Sequence, residues 1–508
     1  MDRRKKVLIF ELDSGSWNIL QPLLSQGKLP NLKRLMNEGA YGILHSDSPP
    51  ISPRIWTTIF TGKNSKKHGV EFFASTSSGV KQKRLWDILN EKGLKVGVFG
   101  SLVTWPPYPI NGFMIPSIFS LGTETYPDNY GVFQEIALSE RKKLHKGEKK
   151  KKYLHNLLNI YLKLKAIGVT SETFHSAIRY FISEKVLRFS PKDRYWRKAS
   201  IYLKMSVDVF THLYHRFQPD FATFHNHLCD AVSHRYWDCY EPQLFESVAP
   251  REIDKYRKVI PDSYILTDKV IGRIISSLDP STNIIIISDH GSKALPNTIK
   301  PYVINFDNFL RILQMQDKVI PARFGFKSLF YFTNGQDKEP LLEAMQSVSL
   351  ADTGEKIFKV ESEEQYISLS PVPPLWRRDI PEETPIRING YGTYLFKEIF
   401  TRQKLKVTGI HHKEGIFIAW GPMIKKGVRA VDAAVFDITP TVLTLMGFPV
   451  AKDMDGRVIK EILNEKALLM NPVKYIDTYE DNDRLKTEEV EKINIEKVKE
   501  RLSSLGYL

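Results

Sequence analysis

The chain has 508 residues, about three times the roughly 150 of an ordinary domain, so it holds either one core with large insertions or two to three domains. An apolar share of 42%, a charged share of 26% and 28 Phe, 22 Tyr and 8 Trp exclude a disordered or fibrous chain, while only two cysteines, Cys229 and Cys239, exclude a disulfide scaffold and a Cys-rich zinc cluster. The net charge of +15 is uneven: Arg141 to Ser200 carries 17 Lys+Arg against 4 Asp+Glu, or +13, which leaves +2 for the rest, so the basic character belongs to one segment.

In chain order, Val7 to Leu12 reads as a short apolar strand, too short for the apolar region of a signal peptide because Glu11 and Asp13 break it. Helical spacing follows through Trp17, Leu20, Leu23 and Leu24, with Gly27 as a stop and Pro30 opening the next helix. The alternation recurs at Leu94 to Phe99, Phe221 to Phe224, Ile284 to Ile287 and Ile416 to Trp420, which predicts a mainly parallel sheet covered by helices on both faces. Between them, Lys149, Lys150, Lys151 and Lys152 precede Leu154, Leu157, Leu158, Ile160, Tyr161, Leu162 and Leu164 at helical spacing, a basic helical insertion. Such a segment is either a solvated helical face or a dock for an anionic membrane or polyanion; no signature of sequence-specific nucleic-acid recognition accompanies it.

From Ser292 to Lys406 the alternation weakens, and Leu329 to Thr333, Phe358 to Val360 and Tyr366 to Leu369 predict a small α+β cap. The expected organisation is a core in three pieces, 1–130 with the nucleophile, 216–295 with metal ligands and 406–470, interrupted by the basic insertion 131–215 and the cap 296–405, with a charged helical tail at 471–508. No stretch approaches the roughly 20 apolar residues of a membrane span. With so few cysteines, a cytoplasmic location is expected, with peripheral attachment to a membrane left open.

Four strands run into polar groups: Asp13 after Leu12, Asp230 and His234 after Phe224, Asp289 and His290 after Ser288, and His411 shortly before Ile416. In an open α/β sheet ligands collect beyond the carboxyl ends of the strands, so these six residues converge on one place. Hard carboxylate oxygen with imidazole suits Zn, Mn or Fe. Ser52, followed by Pro53 at a helix start, is both an N-cap candidate and a nucleophile candidate, since a helix amino end also welcomes a phosphate oxyanion. No histidine neighbours Ser52 in sequence, so its activation falls to a metal. His68, His225 and His227 read as loop or strand-end hydrogen bonders, and Cys229 as a small buried residue.

The segments Leu12-Asp13, Pro49 to Pro53 with Trp56-Thr57, Thr61 to Asn64, His68-Gly69, Thr104 to Pro107, Asp230 to His234 with Trp237, Ser288 to Gly291, His411 to Pro422, Asp437 to Thr441 and Asp453 to Arg457 stand in an order that resembles the type I phosphodiesterase/nucleotide pyrophosphatase family of the alkaline phosphatase superfamily. The resemblance runs from Val7 to about Arg457 and implies an alkaline-phosphatase-like α/β/α sandwich. It implies two divalent metal ions, zinc before manganese, one held by Asp230, His234 and His411 and the other by Asp13, Asp289 and His290 with the Ser52 oxygen. His411 satisfies the family's glycine, one residue, histidine, three residues, glycine pattern through Gly409 and Gly415; His412 is the alternative. Ser52 stands where the family often has threonine, and Glu11-Leu12-Asp13-Ser14 departs from the common Gly-Leu-Asp-Gly.

The implied reaction is cleavage of a phosphodiester or pyrophosphate in a phosphate-ester substrate through a phospho-seryl intermediate, two cations about 4 Å apart clamping the attacking and leaving oxygens. A phosphomonoesterase or phosphonate hydrolase would use the same metals, and a non-catalytic membrane- or polyanion-binding derivative would need only the insertion. A sulfatase would need arginine at a different spacing from Arg54.

Overall fold

The computed structural model describes residues 6–481 apart from 72, 74, 143–156, 297–301, 317, 325–326, 333–337, 363–365, 373–379, 403–406 and 430–432. Its strands begin with β1 (Lys6–Leu12), β2 (Ala40–His45), β3 (Val96–Phe99), β4 (Gly112–Ile115), β5 (Phe221–Asn226), β6 (Thr282–Ile287) and β7 (Gly291–Ala294). Its helices begin with α1 (Trp17–Ser25), α2 (Pro30–Glu38), α3 (Ser52–Thr61), α4 (Ser65–His68), α5 (Leu85–Glu91), α6 (Gly131–Lys142), α7 (Leu157–Ala166), α8 (Ser171–Leu187), α9 (Pro191–Phe217), α10 (Leu228–Tyr240), α11 (Pro250–Tyr256) and α12 (Val259–Ser277). Within the described residues two compact units form, one from Lys6–Pro242, Val248–Ala294 and Gly409–Asp481, the other from Gln243–Ser247 and Leu295–Thr408.

Every residue of β1 from Val7 to Leu12 is buried, as are all of β5 and β6. A strand covered on both faces has no polar side to show, which explains the four consecutive isoleucines Ile284 to Ile287. The sheet runs in the order Val428–Arg429, β2, Glu414–Trp420, β6, β1, β5, β3, β4, with Ala433–Ala434 also on β2. Pairings β6 to β1, β1 to β5, β5 to β3 and β3 to β4 are parallel. The expected mainly parallel α/β sheet is therefore present, with one exception: Glu414–Trp420 runs antiparallel to both β2 and β6. Hydropathy carries no direction, so the apolar run Ile416 to Trp420 reads the same either way.

Adjacent residues of β5 show that both faces are covered. Phe224 packs against Phe10, Phe99 and Phe210 of α9 at ring-centroid distances of 5.3, 5.6 and 5.1 Å, whereas His225 meets Trp56 of α3 at 5.4 Å. On the α3 side, Phe60 packs on Trp86 of α5 at 4.6 Å. On the other, α12 packs against α2, α9 and α10.

The insertion contains α6 to α9. Lys149 to Lys152 and Leu154 lie outside the described residues, as does the expected helical tail 471–508 from 482 onward; its described start is not helical and holds the short strand Tyr475–Ile476, paired with Val450–Ala451. Ser190 starts α9 with a capping box, its hydroxyl accepting from Asp193 N at 3.1 Å and the Asp193 carboxylate accepting from Ser190 N at 3.1 Å. Among the described residues no helix is long and apolar enough to cross a membrane.

The second unit is α+β. Its four-stranded antiparallel sheet pairs Phe358–Ser362, Tyr366–Pro371, Lys327–Phe332 and Val319–Phe324 in that order, around a core that includes Phe309, Phe330, Leu341, Met345, Ile367 and Ile386.

Because Phe224 joins three other aromatic rings in a fully covered layer, Phe224→Ala should cost about 3–5 kcal/mol of stability. Denaturant unfolding of the first unit checks this; a loss below about 1 kcal/mol would mean the layer collapses around the cavity.

Candidate active site

The parallel register brings the strand ends level. Glu11 pairs with His225 and with Ile287, so Asp13, the residues after Phe224 and Asp289-His290 leave the sheet side by side. Asp230 and His234 occupy α10 one turn apart, on one face. His411 arrives from the strand Gly409–His412, whose antiparallel pairing with β7 sets it opposite Ser292. Two glycines permit the close approach: a Cβ at Gly409 would stand 2.3 Å from Ser233 O, and one at Gly415 would stand 2.5 Å from Ser288 O.

Asp230 Oδ1 lies 3.2 Å from His234 Nε2 and 3.4 Å from His411 Nε2, and the two Nε2 atoms are 3.0 Å apart. The Nδ1 atoms of the same rings face the carbonyls of Gly409 and Pro50 at 2.9 and 2.7 Å. A carbonyl only accepts, so both Nδ1 atoms carry hydrogen, which leaves each Nε2 as the ring atom able to offer a lone pair on the Asp230 side. Two nitrogen lone pairs and a carboxylate oxygen pointed at one another are a set of donors to a cation.

His290 repeats the pattern. Its Nδ1 faces Gly291 O at 3.1 Å, while Nε2 lies 3.1 Å from Ser52 Oγ, 3.2 Å from Asp289 Oδ2 and 3.8 Å from Asp13 Oδ1. Ligand atoms of Asp13, Asp230 and His290 lie within 4.8 Å of one another and join the two groups. Asp13 Oδ1, Asp230 Oδ1 and Asp289 Oδ2 are all buried without a hydrogen bond. Orphaned carboxylate oxygens are expensive in a protein interior, and divalent cations would satisfy all three. The donor set fits a metal centre.

The charges behave accordingly. Burial and then the neighbouring Asp13 and Asp230 charges push the Asp289 carboxyl well above its ordinary range. Asp13 feels burial and Asp230 in the same sense, yet the neighbouring His225 ring and the hydrogen bond from His227 hold it below the ordinary value. Burial and then His411 push His290 down to about 3, which keeps its ring neutral and able to donate to a cation. A bound cation reverses the penalty on Asp289.

The second oxygen of Asp13 is held from behind. His227 Nδ1 lies 2.9 Å and His225 Nε2 3.5 Å from Asp13 Oδ2, and His225 Nδ1 donates to Glu11 Oε2 at 2.9 Å. Glu11 also accepts from Ser101 Oγ and is fully buried. Burial opposes charge on His225, but Asp13 and Glu11 raise it to about 9, so it stands as an imidazolium between two carboxylates. Glu11 was legible in the sequence only as the end of an apolar run; its partner depends on strand register.

The remaining candidates have other partners. His412 Nδ1 accepts from Glu414 N at 3.3 Å. His68 Nε2 meets Thr58 Oγ1 at 3.0 Å and its Nδ1 accepts from Val70 N at 3.1 Å, a buried loop anchor. Arg54 is engaged by Asp47, Glu71 and Pro49 O. The Cys229 thiol is buried against Thr267 and Ser263, and burial pushes it up to about 12. Asp238, Cys239 and Glu252 also cluster, but Lys192 Nζ already supplies their cation at 3.4, 3.5 and 3.2 Å.

Asp13 is aimed by His225, so His225→Ala should weaken metal binding about 10–100-fold in chelator competition. Unchanged metal affinity would leave His225 a packing residue only.

The family model described as Type I phosphodiesterase / nucleotide pyrophosphatase matches residues 7–368, a span containing Asp13, Ser52, Asp230, His234, Asp289 and His290, with His411 beyond it. Among solved structures, the chain is similar to human ectonucleotide pyrophosphatase / phosphodiesterase 5, at 12% identity and a TM-score of 0.46, over 91% of this chain and 100% of that one. No curated protein matches it in sequence. The family match takes in well over half of the chain, and the chain accordingly belongs to the type I phosphodiesterase/nucleotide pyrophosphatase family, metal-dependent hydrolases of the alkaline phosphatase superfamily.

Proposed function

We propose that this hydrolase cleaves a phosphodiester or pyrophosphate bond through a phospho-seryl intermediate on Ser52, with two divalent cations, zinc in preference to manganese, one on Asp230, His234 and His411 and the other on Asp13, Asp289 and His290. The observation that carries this reading is the convergence of three orphaned carboxylate oxygens and three imidazole Nε2 atoms beside the Ser52 hydroxyl. When bound, such cations lower the cost of an alkoxide nucleophile and stabilise charge on the phosphoryl and leaving oxygens.

The chain's own residues supply position. Ser52 is the first residue of α3 and only 4% exposed, so its hydroxyl is fixed and shielded from bulk water. Pro53 preorganises that turn, and the amino end of a ten-residue helix favours the negative charge of a phosphate. Arg54 holds the preceding loop through Asp47 and Pro49 O. In the first step a Ser52 Oγ to phosphorus bond forms and the bond from phosphorus to the leaving oxygen breaks. In the second, water attacks phosphorus, the Ser52 hydroxyl is regenerated and a phosphate monoester or phosphate leaves.

A panel of bis-p-nitrophenyl phosphate, p-nitrophenyl phosphate, nucleotide pyrophosphates and aryl sulfates with the zinc-loaded protein tests the reading. Preference for diesters or pyrophosphates is expected; preference for the monoester would make it a phosphomonoesterase, and no turnover a non-catalytic derivative. Ser52→Ala should reduce turnover to background with metal content retained, because the protein ligands remain. His411→Ala should lose metal and activity while His412→Ala keeps both, as metal analysis of the two variants would show; the reverse result would shift the ligand by one residue.

A further inference from the structure

The geometry points to the solvent face of α8 as a docking surface for an anionic lipid bilayer. At its carboxyl end Phe181, Ile182, Val186 and Leu187 are 56, 58, 72 and 66% exposed. At about 100° per residue, Phe181, Ile182, Lys185 and Val186 share one side of the helix, with Arg179 at its margin. Thr173 and Tyr180 are buried, and Tyr180 packs on Phe189 at 6.0 Å, so the opposite side is the one turned inward. This helix therefore shows an apolar side to water while another faces the protein.

The patch is not a scattered surface feature. Ten large apolar side chains are exposed among the described residues, and five of them lie on α7 and α8: Leu162, the three that share the outward side of α8, and Leu187, which is in line with Tyr180 but exposed at the helix end. The two helices join where Tyr161 packs on Phe174 at 4.7 Å. Exposed Lys163 and Lys165 flank Leu162, and Arg179, Lys185 and Arg188 flank the apolar group on α8. Of the two acids on α8, Glu184 is paired with Arg194 at 3.2 Å, and Glu172 stands exposed at the other, amino end of the helix.

Charge and apolarity together choose the occupant. A polyanion in water would satisfy the basic residues but leave Phe181, Ile182, Val186 and Leu187 exposed. A bilayer interface takes both: side chains enter the acyl boundary while Lys and Arg stay among anionic headgroups. Each basic residue near such a surface is worth about 1 kcal/mol, or about fivefold in affinity. The site is built from residues that take no part in the metal centre, so docking would leave the chemistry intact and set where it acts.

The test is co-sedimentation of the full chain with vesicles of phosphatidylcholine alone or mixed with phosphatidylserine. Binding is expected only to the mixed vesicles, weakening as salt rises from about 0.1 to about 0.5 M. The triple variant Phe181→Ser, Ile182→Ser, Val186→Ser and the double variant Arg179→Gln, Lys185→Gln should each lose about tenfold or more in affinity. Circular dichroism and the unfolding midpoint confirm that both variants are folded. The proposal is overturned if the wild type ignores anionic vesicles. It is equally overturned if the apolar triple variant binds them undiminished, matching heparin binding by charge alone, or if sedimentation velocity shows a wild-type dimer that this variant dissolves, making the occupant a second copy.

Discussion

Asp13, Asp230 and Asp289 are buried close together, each with an oxygen that no hydrogen bond satisfies. Like charges at such separations in a low-dielectric interior repel by several kcal/mol, of the order that separate charges at about 4 Å experience with partial screening. Two things can relieve that repulsion in the same space, a proton held on Asp289, whose carboxyl is pushed well above its ordinary range, or a bound cation, to which the three open oxygens are suited. The imidazoles complete the arrangement: their Nδ1 atoms are pinned to backbone carbonyls, leaving the opposite nitrogens free to donate.

That constraint extends into the sheet. Asp13 can offer one oxygen to a cation because its other oxygen is already committed to His227 and, at ion-pair distance, to His225. His225 is in turn held by Glu11, its register partner on the adjacent strand. The departure from a glycine-flanked aspartate therefore does not loosen the site. Glu11 and His225 make a paired, buried charge inside the sheet, where either alone would be costly.

Away from the strand ends the side chains obey different physics. In the first unit, polar groups concentrate where strands end, while the insertion exposes apolar side chains among basic ones. The second unit has its own aromatic and aliphatic core and its own antiparallel sheet.

The sequence by itself determined the alternating architecture, because strands buried on both faces must be continuously apolar and helices must carry a 3.6-residue period. It also determined the donor residues as candidates, since polar side chains at the ends of apolar strands have few other roles. It left open the direction of Glu414–Trp420, the partner of Glu11 and the separation of His411 from its neighbour. These are questions of register and approach between segments as far apart as Asp13 and His411, and hydrophobic periodicity is silent about them. Tertiary structure decided them through the sheet's hydrogen-bond ladder and two glycines: Gly409 lets the strand bearing His411 close on α10, where its imidazole reaches Asp230, and Gly415 lets the following strand close on Ser288.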